Sequence, residues 1–548
     1  YKLMELSTAS AVWNTRKGMA FALGEVSRER MAKHLHKLVP TLYRYTYDPN
    51  PKISQAMKQV WGQLVPEPKK TLDELLQPVL LHLLDGLNDR LWRAREASCL
   101  ALSDALPGRG VAELRAHLYE LFVRVMRVLD DVKETVRKAA QAAWRAVCGA
   151  ANRLSDTASA SAAQAHEVLD VVVPLLLDAG MTHNAAEVRA LSAKQMLKLC
   201  EAAGKHLKPY TVRLVPALLE NLSVLEDQML NYVQMQAQNH GISEQQLESA
   251  RVAATRSSDS SGALEQLIKV MDLDQVSKMA PSLAHLLSHG TGLPTRVGTA
   301  RYVMMLAQSH AEQLRPVAAR MLTTLQRALL AERSATARRA YASAAAVVAR
   351  LVPADTLAEL LQQLCVRYVD EAGSASDEET RLAIAGLVRE MLRGAPDAMG
   401  GVRADWLPLA YCCRHEPRWQ SEEKSSDNEP GKLAEMWREG YEEAGISAGI
   451  AALHLPELLV LLAQMVDGPS WSLRRAAAHS IVELHAQPPA LLQPPKKAEL
   501  ERLAAALADK GKKWYDKETT LPKLQKLLPT PPPAAAAAPA EDAAFGDE

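Results

Sequence analysis

An all-α array of stacked helical hairpins is predicted by three observations. A motif with arginine in second place, replaced once by Ser54, recurs as Thr15-Arg16-Lys17-Gly18, Ile53-Ser54-Gln55-Ala56, Ala94-Arg95-Glu96-Ala97, Val136-Arg137-Lys138-Ala139, Val188-Arg189-Ala190-Leu191, Thr295-Arg296-Val297-Gly298, Ala337-Arg338-Arg339-Ala340, Thr380-Arg381-Leu382-Ala383 and Leu473-Arg474-Arg475-Ala476. Successive second positions differ by 38, 41, 42, 52, 107, 42, 43 and 93 residues, and the two large intervals are near twice the period, as a degenerate copy in each would give. An apolar segment precedes most copies, often with a proline such as Pro40, Pro174, Pro216 or Pro281. A period of about 40–47 residues with two helices per unit is the signature of a HEAT/armadillo-type helical-repeat solenoid, an α-α superhelix.

The clearest copy is 88–106. A polar turn at Asn88-Asp89 leads into a helix that stops before the breaker pair Pro107-Gly108. At 100° per residue, Leu91, Ala94, Ser98, Ala101, Leu102 and Ala105 share an inward face, and Arg93, Glu96, Ser103 and Asp104 gather opposite with Leu100. Small inner residues let a neighbouring helix approach closely.

The same reading divides the chain into repeats over 1–233, a polar insertion loop at 234–262, and repeats over 263–413. An acidic disordered loop at 414–431 follows, with Glu416, Glu422, Glu423, Asp427 and Glu429. Repeats return over 432–528, with 496–528 a weak last pair, and 529–548 is a Pro/Ala-rich tail. Within the first block, residues 13–26 supply a second helix, and 225–233 is the expected second helix of the unit opening at His206. The Ser-rich run 256–262 reads as part of a mobile insertion. The chain opens at Tyr1 close to a repeat helix, which reads as a segment of a longer protein.

Composition narrows the function classes. The 548 residues carry 64 basic and 64 acidic side chains, which argues against a nucleic-acid-binding surface over the whole molecule. No run of 18 apolar residues is present, so membrane insertion is not expected. Cys99, Cys148, Cys200 and Cys365 lie singly in apolar patterns and read as buried free thiols, as in a reduced, intracellular protein. The adjacent Cys412 and Cys413 lack partners at zinc-ligand spacing.

Catalytic motifs are weak. Gly445-Ile446-Ser447-Ala448-Gly449 matches a nucleophile elbow, but an elbow needs a strand before the serine, and the flanking pattern is helical. His34, His36, His82 and His117 fall on helix surfaces or ends without a Glu-x-x-His companion, and there is no phosphate loop. The chain therefore reads as a non-enzyme with no metal, no cofactor and no small-molecule substrate.

The arginines carry the interpretable pattern. Arg95, Arg137 and Arg338 follow Asp89, Asp131 and Glu332 by six residues. With Arg189 they read as a structural ladder in which each arginine bridges carboxylates and helix ends within and between repeats. Arg93, Lys138, Arg339 and Arg475, on or near the outer part of the same helices, read as a partner-facing surface. Trp92 and Trp471 are read as core, with exposed anchors as the alternative.

Several runs go beyond generic repeats: Asn14-Thr-Arg-Lys-Gly18, Leu42-Tyr43-Arg44-Tyr45, Asp48-Pro-Asn50, the 92–102 and 130–140 segments, Glu187-Val-Arg-Ala-Leu-Ser192, Pro216-Ala-Leu-Leu-Glu220 and Leu230-Asn-Tyr232. In these the chain resembles the family of large proteasome adaptor and scaffold proteins, densely over 10–260 and more sparsely to 487, with 496 onward departing from the pattern. The resemblance implies a segment of the C-terminal half of a longer protein. It also implies binding to the 26S proteasome, bridging of its core and regulatory particles, roles in proteasome assembly, quality control or localisation, and residence in cytoplasm and nucleus. The alternative is another helical-repeat adaptor, such as a nuclear-transport receptor or a tubulin-binding array.

Overall fold

Hairpin after hairpin, an apolar first helix is joined by a short polar turn to a second helix rich in alanine and small residues. The computed structural model describes residues 35–65, 67–224, 244–370, 377–416, 432–488, 492–510 and 520–527. The expected helix at 13–26, the expected helix at 225–233 and the tail 529–548 lie outside the described residues. The chain divides into two compact units, 1–314 and 315–548. Among the described residues every regular element is helical, and none of these helices is long and apolar enough to cross a membrane.

In the first unit the hairpins pair Leu35–Tyr45 with Pro51–Leu64, Leu76–Leu87 with Trp92–Ala105, Leu118–Leu129 with Glu134–Ser155, and Ala162–Pro174 with Ala186–Ala203. The recurrent prolines sit inside first helices, at Pro40, Pro174, Pro216 and Pro281. After Pro174 the helix loosens into a π segment, Leu175–Gly180, the usual way a helix absorbs a lost backbone donor. Second helices stack on second helices, Trp92–Ala105 lying along Glu134–Ser155. Close approach depends on small side chains. A Cβ at Gly86 would collide with Ser98 Oγ, and one at Gly180 would sit 2.5 Å from Ser192 Oγ.

Both long intervals between arginine copies hold the expected degenerate unit, and in each the insertion separates the two helices of one hairpin. In the first, Thr211–Val224 packs against Asp259–Ile268, which stacks on Ala186–Ala203 in the place of a second helix. The insertion expected at 234–262 is thus largely helical where it is described: Glu244–Arg256 is a helix, and the Ser-rich run begins another. The reason is local. Ser258 caps that helix by accepting the Ser261 N–H at 3.2 Å, Ser260 is buried, and Gly262 faces Leu197, whose Cδ1 would lie 3.1 Å from a Cβ there.

In the second unit the hairpins pair Ala335–Ala349 with the preceding Ala311–Ala331, Ala354–Asp370 with Asp377–Gly394, and Leu455–Asp467 with Trp471–His485. Arg403–Cys413 and Lys432–Glu443 form the second degenerate unit, and Lys432–Glu443 stacks on Asp377–Gly394. The first residues of the acidic loop expected at 414–431 are packed against the repeats. Arg414 donates to Glu483 at 2.6 Å, and Glu416 is 3% exposed, while 417–431 lies outside the described residues. At the far end Pro494–Lys510 packs on Leu455–Asp467 and Trp471–His485, and Thr520–Gln525 contacts Trp471–His485 and Pro494–Lys510.

The inward face read for 92–105 holds at Ser98, Ala101, Leu102 and Ala105, all buried, and Ala94 is intermediate. Leu91 is the exception at 69% exposed. It is the N-cap, with extended φ and ψ of −82° and 119°, so helical periodicity does not govern its direction. Cys99, Cys148, Cys200, Cys412 and Cys413 are buried free thiols, and Cys365 is partly buried. Ser447, of the elbow-like motif, caps the short helix Ala448–Leu453 by accepting the Ile450 N–H at 3.3 Å.

Candidate interaction surface

Among the described residues each repeat arginine stands at the fourth or fifth position of a second helix, near the N-terminus, where the helix dipole disfavours a cation by a few tenths to ~1 kcal/mol. Its bonding shows why the position holds. Arg95 Nη1 donates to the carbonyls of Asp89 and Arg90 at 2.9 and 3.0 Å. Arg137 Nη1 does the same to Asp131 and Val132 at 2.8 and 3.2 Å, and Arg189 Nη1 to His183 and Asn184 at 2.8 Å each. Arg474 repeats the arrangement with Gly468 and Pro469 at 2.9 and 3.1 Å. The arginine six residues on therefore closes the turn between the helices of its own hairpin by satisfying carbonyls that no helix uses.

In these turns the polar side chain six residues before the arginine is bonded to backbone N–H groups. The Asp89 carboxylate accepts the Leu91 N–H at 2.9 Å, and the Asp131 carboxylate accepts the Lys133 N–H at 2.9 Å. Glu332 serves the Ser334 N–H at 3.0 Å, and in the copy that lacks an acid His183 Nδ1 serves Ala185 at 3.1 Å. The side chain shapes the turn, and its backbone carbonyl receives the arginine.

The rung between repeats is real at Asp131. Arg95 Nε and Nη2 reach its two carboxylate oxygens at 2.6 and 3.0 Å while Arg137 takes its carbonyl. Burial alone would push the Asp131 carboxyl up, but Arg95 and the Lys133 N–H hold it below its usual range. Its contribution to stability is present above the unfolded carboxyl pKa and fades as pH falls through the lowered folded value. Arg338 makes a looser contact with Glu379, at 3.5 Å.

Arg189→Met should destabilise the first unit by about 1–3 kcal/mol, since two turn carbonyls lose a charged donor. Arg189→Lys should restore only part, because an ammonium lacks the planar fork. Urea unfolding with hydrogen exchange at the 183–185 amides checks both, and wild-type exchange in both variants would dismiss the turn-closing role.

The expected partner-facing residues do not form one equivalent set. Arg93, Lys138 and Arg339 are exposed, and Arg475 is intermediate. Lys138, Arg339 and Arg475 each follow a repeat arginine by one position, whereas Arg93 precedes Arg95 by two. Lys138 pairs with Glu134 at 2.7 Å. Arg93 joins a feature that spans two hairpins: its guanidinium and the Lys133 ammonium lie 5.4 and 5.3 Å from the Trp92 ring centroid. Trp92 and Trp471 are both intermediate in exposure rather than core. Beside Trp92, Leu91 and Val132 are 69% and 98% exposed, so the turn edge of two successive repeats presents apolar side chains flanked by cations.

A second polar constellation, missed in the sequence, is wholly buried in the second unit. Arg381 pairs with Glu416, their side chains 2% and 1% exposed. Tyr368 Oη donates to Glu416 at 2.7 Å, Trp437 Nε1 donates to Tyr368 Oη at 3.0 Å, and Ser472 Oγ donates to Glu416 at 3.1 Å. The Arg381 guanidinium also stacks 4.4 Å from the Tyr368 ring centroid. Burial disfavours the Arg381 charge, but Tyr368 and Glu416 hold it above its ordinary value. Sealed from solvent, this network locks helices together.

Residues 207–369 match the family description "Proteasome adapter and scaffold protein ECM29, HEAT-repeat domain". The chain is 33% identical over 524 residues to the human "Proteasome adapter and scaffold protein ECM29", a match that covers 95% of this chain and 28% of that protein. It is 26% identical over 556 residues to the Drosophila melanogaster "Proteasome-associated protein ECM29 homolog", covering 96% and 28%. It is 24% identical over 495 residues to the Saccharomyces cerevisiae "Proteasome component ECM29", covering 88% and 26%. The chain thus spans little more than a quarter of the curated relatives it matches.

Proposed function

We propose that this chain, similar along nearly its whole length to proteasome adapter and scaffold proteins, is a non-catalytic adaptor segment of that family that binds the 26S proteasome. The observation that carries the reading is a family relationship running along nearly the whole chain, across both units and both interrupted repeats. The fold suits such a role, because turn-closing arginines fix successive hairpins and their exposed edges keep a set spacing for a large partner. In this proposal the segment helps to bridge core and regulatory particles, in cytoplasm and nucleus, and serves proteasome assembly, quality control or localisation.

Affinity purification of the tagged chain from its own cells, at low and high salt, tests the proposal. Proteasome subunits in stoichiometric amount are the expected result, with recovery falling as salt screens surface charge. Importin cargo or tubulin in their place would overturn it. Lys138→Ala should leave melting unchanged, because an exposed pair contributes little, and should lower proteasome recovery. Wild-type recovery would remove Lys138 from the contact surface.

A further inference from the structure

We propose that the groove between helices Glu134–Ser155 and Ala186–Ala203 is a docking site for an acidic peptide segment of the partner; the identity of that partner rests on the adaptor reading. The groove has a volume of about 320 Å³. Its rim carries Arg145, Lys194 and Lys198, all exposed. Some cations elsewhere in this unit are paired, as in Lys138–Glu134, Arg124–Glu120 and Lys278–Asp274. These three make no hydrogen bond or ion pair with any described residue. Three cations without a partner among the described residues line one concavity and give it a positive potential that favours an anionic ligand.

The rest of the groove says which anion fits. Its floor holds the buried Trp144, 3% exposed and edge-on to Phe122 with ring centroids 5.6 Å apart, an apolar surface unsuited to a bare ion. Amides bridge the helices along it: Gln195 Nε2 donates to Asn152 Oδ1 at 2.7 Å, and Gln141 Nε2 donates to Glu187 Oε1 at 2.6 Å. Gly149 leaves the wall open, since a Cβ there would meet nothing within 4 Å. A glycine inside a 22-residue helix lowers helix stability, so the opening is kept against local propensity.

Lys194 and Lys198 stand one turn apart on one helix, and Arg145 faces them from the other. Carboxylates spread along an extended chain can reach cations on both helices, with intervening side chains in the opening left by Gly149. A compact polyphosphate would concentrate its charge at one point, whereas the three cations are divided between two helices.

The full chain is titrated with a fluorescent peptide in which Glu-Glu pairs alternate with Leu, and separately with inositol hexakisphosphate. Lys194→Glu/Lys198→Glu should weaken the peptide tenfold or more while leaving melting unchanged. Gly149→Leu, which fills the groove without altering charge, should weaken it without loss of stability. Equal peptide affinity in wild type and both variants, or no peptide binding, would overturn the site. Binding of the polyphosphate with exclusion of the peptide would overturn it in favour of a compact polyanion. Proteasome recovery by wild type is scored separately. If recovery persists when peptide binding fails, the groove alone falls; if peptide binding persists when recovery fails, the adaptor reading falls.

Discussion

Glu416→Ala is expected to destabilise the second unit by about 3–5 kcal/mol, because it leaves the Arg381 guanidinium buried without a counter-charge. Arg381 and Glu416 are 2% and 1% exposed at their side chains, so water cannot replace the lost partner without opening the packing around Tyr368 and Trp437. Tyr368 and Ser472 would lose their acceptor as well, each a further buried donor left unsatisfied. The double variant Arg381→Met/Glu416→Leu should recover much of that loss, since two apolar side chains need no pairing. Urea unfolding of the two single variants and the double gives the coupling. Hydrogen exchange in Asp377–Gly394 and Arg403–Cys413 would localise the effect, because the network draws on both of these helices or their ends. If the double variant is as unstable as the sum of the singles, the network is not the unit described.

The helical period, the hairpin order and the arginine at the head of most second helices were legible in the sequence, since each is a local pattern. Four features were not, for identifiable reasons. Glu416 stands in a run of acids, and composition marks that run as solvated. Its partners Arg381, Tyr368 and Ser472 are 35, 48 and 56 residues away and come together only in the fold. The serines before Gly262 favour turns by propensity, yet Ser258 caps the helix they open and Gly262 is small enough to pack under Leu197. Leu91 fits a helical wheel but precedes the helix. The cationic groove needs Arg145 beside Lys194 and Lys198, which lie on separate helices and share no local motif. Sequence patterns report what a residue does within its own element. Where that element starts, and what packs across from it, decided each of these four.

Ala101→Asp should cost the first unit about 4 kcal/mol or more near neutral pH, the largest effect expected of a change at a single small residue. Ala101 is 0% exposed, on a helix that packs against Glu134–Ser155, Leu76–Leu87 and Leu35–Tyr45, and its own carbonyl lies 3.5 Å from the Tyr43 hydroxyl. A carboxylate there is desolvated, so its folded-state pKa rises above the unfolded value. The sign follows. Below the unfolded carboxyl pKa both states are protonated, and the penalty is limited to burying a neutral polar group and its volume. As pH climbs from there to the raised folded pKa, the unfolded chain ionises first and stability falls, until the full penalty is reached. Ala101→Ser, with no charge to bury, should show a smaller loss and no such pH dependence. Urea midpoints at several pH values therefore separate overpacking from charge burial. Because each hairpin leans on its neighbours, exchange should quicken in the flanking helices too. Wild-type midpoints at every pH would mean that this helix does not face inward at Ala101, and the stacking of second helices would have to be redrawn from that residue.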